Sequence, residues 1–497
     1  MWRYLVEKSF EQATQLKRRP FAAVRSFRGG AHDGAATGVC QLFRDAISGK
    51  FDDPTDAWLR HGEAVMMNIA RSATADAFAR VPLPKRFCNL DRLLHAMKAR
   101  GLDGIVATAP WNVFYLTAFN GIAHKSDEPR PYAVILSRHM PDHPVLILAD
   151  YYLATFLKQP TWVEDLRPFR AVMMPLDLPA QRSDIDRFIP QDGAEASWIA
   201  HARRAYAFDM ASAVRRALKD LRLEHGRVAF DDMGFGFRLE VEGLEVADGY
   251  DPLMFARAVK TETELCLLQR ATALNEAAIR RTIAAWDKGA TWRDLNKAYA
   301  CAVTELGGFV RDPGGMVWGH PRGTDPTLTL ATGLEHDVVE PGCHVMFDCH
   351  GTIDLYCWDG GKTWVVEGEP EGAAKRFADA TARVAQMLLS AMRPGARISE
   401  LQAKGREIYR REGVPDPASA VIFFHGLGLS HMDIEQRTAD GKSNVDWMLE
   451  DGMVVPVHLL YPGGERERFW LEEVVAIGND GGKPLFSWGF GPLTREG

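Results

Sequence analysis

Two aspartates follow strongly apolar stretches in the C-terminal half of the sequence. Asp348 comes directly after the apolar run 345–347, and Asp359 follows eleven residues later, within the segment 356–363. A carboxylate that directly follows buried strand residues is costly to desolvate unless it is paired or coordinates a cation. Each aspartate taken alone is also typical of a turn or a helix cap. The pair therefore gains its meaning only from the residues that come after it.

A second pattern combines two histidines with a glycine turn. The apolar run 421–424 ends in His425, the turn Gly-Leu-Gly follows at 426–428, and His431 comes six residues after His425. Glycines in such a turn let the backbone bend tightly or approach a ligand closely. A single histidine after a strand is usually a core residue, whereas two histidines around a glycine turn indicate a ligand or substrate role as well.

The last two predicted strands each place a polar side chain among apolar neighbours. His458 interrupts the apolar segment 453–460, and Glu472 follows fourteen residues later. Because side chains alternate along a strand, Glu472 shares one strand face with Trp470 and Val474. Taken alone, Glu472 also fits an edge-strand charge or a salt bridge.

Together these patterns define a set of oxygen and imidazole donors. Such a set suits Mn, Fe, Co or Zn, and the lack of any Cys-x-x-Cys pair argues against a structural zinc site. Two ions about 3.5 to 4 Å apart and bridged by carboxylates would polarise a substrate oxygen and lower the pKa of water. The sequence therefore predicts a hydrolytic or proton-abstracting centre with one or two divalent ions. The candidate metal ligands are Asp348, Asp359, His425, His458 and Glu472.

Composition limits the class of protein. The chain has 497 residues, 46% of them apolar, with a net charge of −7, so two or three globular domains are expected and nucleic-acid binding is not. Seven cysteines without a paired motif are typical of a reducing cytoplasm. No apolar run reaches the roughly 18 residues of a membrane span, and the N-terminus lacks a signal peptide's apolar core. We expect a cytoplasmic protein that does not bind membranes.

The pattern of residue types along the chain divides it into three segments. Residues 1–85 are predicted to be a helical extension, and residues 86–250 an α/β domain with strands near 104–108, 132–137 and 145–149. Residues 251–497 repeat one pattern twice. A helix at 262–286 precedes strands near 345–348 and 363–366, and helices at 373–392 and 399–409 precede strands near 453–460 and 469–477, with Ser399 and Gln402 as a predicted capping pair. Two such halves would build a sheet with pseudo-twofold symmetry and a site between them.

These residues carry a family resemblance. The order Asp348, Asp359, His425-Gly-Leu-Gly and Glu472 resembles the pita-bread family, which includes methionine aminopeptidase, Xaa-Pro aminopeptidase, prolidase and creatinase. The resemblance covers roughly residues 86–497, because the segments 260–264 and 109–117 also look like the creatinase and prolidase branch. It implies an α+β protein with a pita-bread catalytic domain, a curved antiparallel sheet with helices, preceded by an α/β creatinase-like domain. We expect a homodimer, in which the N-terminal domain could close the partner's site.

The resemblance implies five metal ligands, and one of them differs here. Asp348, Asp359, His425 and Glu472 match the family, but His458 stands where the family has a glutamate that also moves a proton. A neutral imidazole offers one lone pair and no second, bridging oxygen. His458 is therefore interpreted either as a ligand of one ion or as an acid/base itself.

A second departure lies in the glycine turn. The peptidases place their substrate histidine seven residues after the first histidine and follow it with glutamate, whereas here His431 comes at six and Met432 follows. This shorter loop, and the segment 319–326, are similar to those of the family's dimethylsulfoniopropionate lyase. The histidines that could polarise a substrate are His320, His336, His350 and His431. His431 is the first choice for the general acid/base, and His350, two residues beyond Asp348, could supply a ligand.

We therefore predict a metal-dependent hydrolase that cleaves a C–N bond of a small molecule, such as an amide, an amidine or an Xaa-Pro-like dipeptide. The predicted catalytic residues are His431, His458 and His320. Two alternatives remain open. One is a metal-dependent lyase similar to dimethylsulfoniopropionate lyase, and the other is a metal-free creatinase-like enzyme or binding scaffold.

Overall fold

The computed structural model describes most of the chain beyond the N-terminal extension. The described residues are 83–121, 132–159, 161–171, 182–189, 195–311, 317–319, 336–461 and 469–495. The predicted helical extension, apart from its last three residues, and the predicted catalytic His320 lie outside this part of the chain. None of the helices within it is both long enough and apolar enough to span a membrane.

The first domain is a mixed sheet flanked by helices. Its elements are α1 (Leu90–Ala99), β1 (Gly104–Ala107), α2 (Pro110–Thr117), β2 (Tyr132–Ser137), β3 (Met140–Ala149), α3 (Leu153–Leu157), β4 (Asp165–Phe169), α4 (Ala196–Ala205), α5 (Met210–Asp220), β5 (Arg227–Phe230), α6 (Met233–Arg238), β6 (Glu245–Asp248) and α7 (Tyr250–Ala258). The six strands lie in the order β4-β3-β2-β1-β5-β6, with β1 parallel to β5 and antiparallel to β2. Every residue of β1 and β2 is buried, which is typical of a sheet covered on both faces.

The second domain contains two successive groups of helices followed by strands, as predicted. Its elements are α8 (Glu262–Ala284), α9 (Trp292–Glu305), β7 (Phe309–Val310), β8 (Val317–Gly319), β9 (His344–Phe347), β10 (Gly351–Ile353), β11 (Tyr356–Trp358), β12 (Gly361–Val365), α10 (Gly372–Ala391), α11 (Ile398–Arg411), β13 (Val421–Phe424), β14 (Val454–Tyr461), β15 (Phe469–Gly478) and β16 (Gly481–Pro484). The large sheet has the order β13-β14-β15-β12-β9-β8, with β16 paired to β15. A separate, smaller sheet has the order β11-β10-β7. The predicted α+β architecture is confirmed.

Two apolar cores support these sheets. One runs from the first domain into α8 and α9 of the second, and the other lies under α10 and α11 and includes Leu388, Val455 and Val475. The first core contains residues of both domains. Burial of its apolar side chains therefore stabilises the contact between the two domains.

The start of α11 differs from the prediction. The capping pair is Arg397 and Glu400, whose carboxylate accepts from the Arg397 backbone N–H, and it is not Ser399 and Gln402. Asp446, from a distant loop, accepts from the backbone N–H of Ser399 at 2.9 Å. Gln402 instead donates to the carbonyl of Ile422 at 2.9 Å. The predicted pair was wrong because the helix begins one residue earlier, at Ile398, and because Asp446, 47 residues away along the chain, satisfies the Ser399 backbone N–H.

Candidate metal centre

Strand register places His458 beside Glu472. In the antiparallel pairs β13–β14 and β14–β15, Phe423 lies opposite His458 and His458 lies opposite Glu472. Residues that face each other across a sheet point to the same side, so these three side chains form one row. The Nε2 of His458 lies 2.9 Å from Oε1 of Glu472, and both side chains are almost fully buried.

A double-glycine turn brings Asp359 to the same position. Asp359 follows β11 and is fully buried, and the backbone N–H of Gly360 donates to its Oδ1 at 2.9 Å. Gly360 and Gly361 adopt φ values of +89° and +151°, which L residues rarely adopt. A Cβ on Gly361 would lie 2.5 Å from the carbonyl oxygen of Phe347. The turn therefore needs glycine, and it sets Asp359 against the strand that carries Glu472.

His425 presents one nitrogen to these carboxylates. Its Nδ1 lies 3.0 Å from the carbonyl oxygen of Gly426, and because a carbonyl only accepts, this hydrogen bond requires the proton on Nδ1. The lone pair is then on Nε2, which lies 3.3 Å from Oδ2 of Asp359 and 4.0 Å from Oε1 of Glu472. The ring is completely buried.

The donor atoms in this cluster are buried and lack hydrogen-bond partners. Several approach one another closely, but without the angles of a hydrogen bond. Within the part of the chain that the structure describes, the buried atoms without a partner include Asp348 Oδ1, Asp359 Oδ2, His425 Nε2, His431 Nε2, His458 Nδ1 and both Glu472 oxygens. Buried polar atoms nearly always have partners, so a group of converging lone pairs fits a bound cation. Atoms of Asp359, His425, His458 and Glu472 all lie within 4.8 Å of one another.

The pKa shifts of the buried carboxylates also indicate a cation site. Burial, together with the neighbouring Asp359 and Asp348, raises the pKa of Glu472 well above its usual range. Burial also opposes ionisation of Asp359, but the imidazoles of His350, His425 and His431 outweigh it and hold that pKa well below its usual range. Among the described ion pairs, the carboxylates of Asp348, Asp359 and Glu472 pair with histidines and with neither lysine nor arginine. This excess of buried acidic groups is what a cation would neutralise.

His458 has the properties of a neutral ligand. Burial, reinforced by repulsion from the imidazole of His425, lowers its pKa to about 3. The imidazole is therefore uncharged at neutral pH, and one ring nitrogen is free to bind a cation.

His350 lies between the two aspartates. Its Nε2 is 2.7 Å from Oδ1 of Asp359 and 3.2 Å from Oδ1 of Asp348. Burial disfavours its charged form, but the two carboxylates outweigh burial and raise its pKa to about 11. A strand that continued beyond Asp348 would place His350 on the same face as that aspartate. Strand β9 ends at Phe347, however, and the irregular segment 348–350 brings the ring to the aspartates.

The loop that carries His431 is held by a buried ion pair. The carboxylate of Asp433 accepts from the backbone N–H groups of Leu429 and Ser430, both at 3.2 Å. It also pairs with the Arg257 guanidinium and, at 3.2 Å, with Lys260 Nζ. Burial opposes ionisation of Asp433, but Arg257 and Lys260 outweigh it and lower its pKa. This loop places Nε2 of His431 2.7 Å from Oδ2 of Asp359.

Asp433 also explains the glycine turn. A Cβ on Gly428 would lie 2.0 Å from Oδ2 of Asp433, and one on Gly426 would lie 2.3 Å from the Asp433 carbonyl oxygen. The glycines are thus needed for the approach of the loop's own aspartate. Sequence reasoning missed Asp433 and Arg257 because they lie 176 residues apart and meet only in the folded chain.

A cavity of about 570 Å³ opens onto the cluster. One wall comes from the first domain, including its helix α7, and the other contains the two histidines nearest to the aspartates. The lining residues are Ala109, Trp111, Asn112, Asp231, Tyr250, Met254, Arg311, His350, Gly351, Cys357, Trp358, Ser430, His431 and Met432. The Nη1 of Arg257 donates to Oδ1 of Asn112 at 2.7 Å, so the wall from the first domain is tied to the loop that carries His431.

The structure brings most of the predicted residues together. Asp359, His425, His458 and Glu472 form the inner group, with His431 beside Asp359, and Asp348 reaches the cluster through His350. His336 is exposed and belongs to neither of the candidate metal-binding groups among the described residues. Trp358 and Trp364 both belong to the apolar core, and Trp358 also lines the cavity. The assignment of these side chains as ligands or catalysts stays a prediction.

Comparison with known proteins identifies the family. Residues 266–479 match the model of metallopeptidase family M24, and residues 89–232 match the creatinase/prolidase N-terminal domain. The chain therefore belongs to the pita-bread family of creatinases, prolidases and Xaa-Pro aminopeptidases, as the sequence predicted. No curated protein matches the chain.

Solved structures share the fold at low sequence identity. The prolidase from Pyrococcus horikoshii OT3 is 15% identical, with a TM-score of 0.56, and the match covers 80% of this chain and 97% of that one. The X-Pro aminopeptidase from Thermotoga maritima MSB8 is 17% identical, with a TM-score of 0.57 and coverage of 81% and 99%. The Xaa-Pro dipeptidase from Bacillus anthracis is 17% identical, with a TM-score of 0.56 and coverage of 80% and 97%. These likenesses show a shared fold.

Proposed function

We propose that this protein is a metal-dependent hydrolase that cleaves a C–N bond of a small molecule, such as an amide, an amidine or an Xaa-Pro-like dipeptide. One observation carries the proposal. The donor atoms of Asp359, His425, His458 and Glu472 converge without hydrogen-bond partners, next to a cavity of about 570 Å³. Membership in a metallopeptidase family supports the same reaction class.

The donor set fits a divalent transition metal, because it combines carboxylate oxygens with neutral imidazoles. Asp348, Asp359, His425, His458 and Glu472 would hold one or two such ions. A bound ion would polarise the substrate's carbonyl or amidine group and lower the pKa of water. His458 contributes an uncharged donor where the family has a carboxylate, so the centre carries one negative charge fewer.

His431 is the proton carrier in this proposal. Its side chain is 43% exposed, lines the cavity and lies 2.7 Å from Asp359, so the ring can meet both water and substrate. In hydrolysis the water oxygen bonds to the carbon, the C–N bond breaks, and one water proton passes to the leaving nitrogen. An imidazole suits the acceptance and return of that proton, because one ring nitrogen can accept a proton while the other donates one. Ser430 and Asp433 keep the loop in place during these steps.

The size of the cavity supports a small substrate. About 570 Å³ lies within the usual range for sites that enclose small molecules. Trp111, Tyr250 and Trp358 supply aromatic walls, and Arg311 and Asp231 supply charged groups. A homodimer and a cytoplasmic location remain our predictions from the sequence.

The test joins metal analysis with product analysis in ¹⁸O-labelled water. Purified protein is assayed for bound transition metals and incubated with a panel of Xaa-Pro dipeptides, simple amides and amidines. The proposal expects a bound metal, loss of activity in chelator, and one ¹⁸O atom in the product of C–N cleavage. Asp359→Asn should abolish activity, whereas Asp440→Asn, at an exposed loop position, should not.

Other results would contradict the proposal. An unsaturated product without ¹⁸O would indicate a lyase. Unchanged turnover in chelator, with no metal bound, would indicate a metal-free enzyme of the creatinase kind.

A further inference from the structure

A second cavity lies between helix α8, strand β12 and the C-terminal segment of the chain. It has a volume of about 270 Å³ and is lined by Arg280 of α8, Lys362 of β12 and residues of the segment 488–493. Two of these described lining residues are cations, and none of them is acidic. The cavity therefore has the charge of a site for an anion.

Strand register separates this cavity from the candidate metal centre. In the pair β12–β15, Gly361 lies opposite Glu472 and Lys362 lies opposite Leu471. Because side chains alternate along a strand, Lys362 points away from the sheet face on which Glu472 meets the other candidate ligands. The two sites thus lie on opposite faces of the same strands.

The ammonium group of Lys362 is buried and has more donors than acceptors. Lys362 is 3% exposed, and its Nζ donates to the backbone carbonyl of Gly489. An ammonium group carries three N–H donors, and within the described part of the chain this carbonyl is its one acceptor. Buried charges are nearly always paired, so the remaining donors at the wall of a cavity fit an anionic ligand.

Arg280 supplies a second cation at the same wall. Its Nε and Nη2 donate to Oε1 of Glu276 at 3.1 and 3.0 Å, and its Nη1 has no acceptor among the described residues. Lys362 Nζ and Arg280 Cζ lie 5.1 and 5.7 Å from the centre of the Trp488 ring. The two cations therefore lie around one aromatic side chain.

The charges around Lys362 are not balanced by an ion pair. Burial lowers the pKa of Lys362 to about 8, and repulsion from Arg280 acts in the same direction. The carboxylates of Glu473 and Glu276 oppose this shift, but neither forms a described ion pair with Lys362. Glu276 instead pairs with Arg280 and accepts from the backbone N–H and the hydroxyl of Ser487 at 2.7 and 2.6 Å. An anion in the cavity would offset the repulsion between the two cations.

We propose that Lys362 and Arg280, beside the ring of Trp488, form a binding site for a small oxoanion, either phosphate or a carboxylate. Its oxygens accept from Nζ of Lys362 and from Nη1 of Arg280, and such charge-assisted hydrogen bonds are stronger than neutral ones. A volume of about 270 Å³ holds a small anion and is below the usual range for larger organic ligands. The site does not depend on the reaction proposed for the metal centre.

Isothermal titration calorimetry of the full chain tests this site, with inorganic phosphate and acetate as the two probes. Each titration is run on the protein as purified and again in chelator, because a bound metal ion also attracts these anions. One equivalent of phosphate or of acetate should bind in both conditions, and the probe that binds more tightly identifies the class of anion. Lys362→Met should weaken this binding at least about tenfold, and Arg280→Met should weaken it as well. Lys442→Met, at an 81% exposed lysine side chain, should leave it unchanged.

Three results would overturn the site. They are binding of neither anion, equal binding in folded Lys362→Met, and binding that is lost in chelator. Circular dichroism verifies the fold, and Lys362→Gln replaces the methionine variant if that variant does not fold. Because the measurement is anion binding and not turnover, failure of the proposed C–N bond hydrolysis would leave this result unaffected.

Discussion

His458 faces Glu472 directly across two antiparallel strands, with 2.9 Å between Nε2 and Oε1. A neutral ring therefore lies beside a buried carboxylate that also has Asp359 for a neighbour. A second carboxylate in this position would bring two like charges into contact in a region of low dielectric constant. With histidine instead of glutamate at position 458, the two strands therefore depend less on a cation to hold them together.

His458→Glu should make the stability of the fold depend more strongly on metal. The new carboxylate repels Glu472 unless a cation lies between them, so chelator should lower the melting temperature of the variant several degrees more than that of the wild type. Differential scanning calorimetry with and without chelator measures this difference. His139→Glu, at an exposed position, is the matched control. Equal decreases in all three proteins would contradict the expected effect.

Gly361→Ala should dismantle the inner group. The new Cβ would lie 2.5 Å from the Phe347 carbonyl oxygen, at a φ of +151°, so the turn that follows Asp359 must shift. We expect metal affinity to fall at least about tenfold, because ligands tolerate only small displacements. Equilibrium dialysis with Co²⁺ measures the affinity. Gly489→Ala is the control, since no atom lies within 4 Å of a Cβ at that position. Retained affinity in Gly361→Ala would show that the turn adapts.

Asp433→Asn should destabilise the protein. It leaves the fully buried Arg257 guanidinium and the Lys260 ammonium without their carboxylate, and breaking a buried pair typically costs about 3–5 kcal/mol. Urea unfolding measures the change, with the exposed Asp440→Asn as control. The position of His431 should change as well, so turnover should fall more than metal affinity does.

The Asp433 pair also predicts a pH dependence. The pKa of Asp433 is lower in the folded chain than the roughly 3.9 of an unfolded aspartate. Its contribution is therefore complete above about pH 4 and is lost as the pH falls through the folded value. The difference in unfolding free energy between the wild type and Asp433→Asn should be constant from pH 7 to 5 and shrink below pH 4. A difference that grows in acid would contradict this assignment.

Glu473→Gln should have the opposite dependence on pH. Burial raises the pKa of Glu473 to about 8, while an unfolded glutamate titrates near 4.3. Between these values the folded state holds the extra proton, so this group lowers stability as the pH rises. The glutamine variant should gain stability relative to the wild type between pH 5 and 8, by an amount of the order of a few kcal/mol. Thermal unfolding across this range measures the gain, with the exposed Glu369→Gln as control.

The sequence permitted much of the candidate site to be predicted. His458 and Glu472 are polar residues within otherwise apolar strands. A polar residue among apolar neighbours can be recognised in the sequence without knowledge of the partner strand. The register that sets one opposite the other could not be predicted, because the sequence does not say which residues of two strands pair. The contact of His350 with Asp359 likewise depends on the irregular backbone at 348–350, for which residue preferences offer no geometry.

Long-range partners escaped prediction for the same reason. Arg257 and Asp433 look like ordinary surface charges in the sequence, and only the folded chain brings them together without solvent. The start of α11 was misplaced because Asp446, far along the chain, satisfies the Ser399 backbone. Helix α8, by contrast, was predicted to within two residues, since its capping box and its apolar spacing are both local.

One polypeptide supplies both walls of the cavity. Asn112 of the first domain and Ser430 of the second are joined by the same guanidinium, that of Arg257, at 2.7 and 2.8 Å. The space between them therefore does not arise from the meeting of separate molecules. Turnover per chain should accordingly hold when the enzyme is diluted from micromolar to nanomolar concentration, even where an oligomer would dissociate.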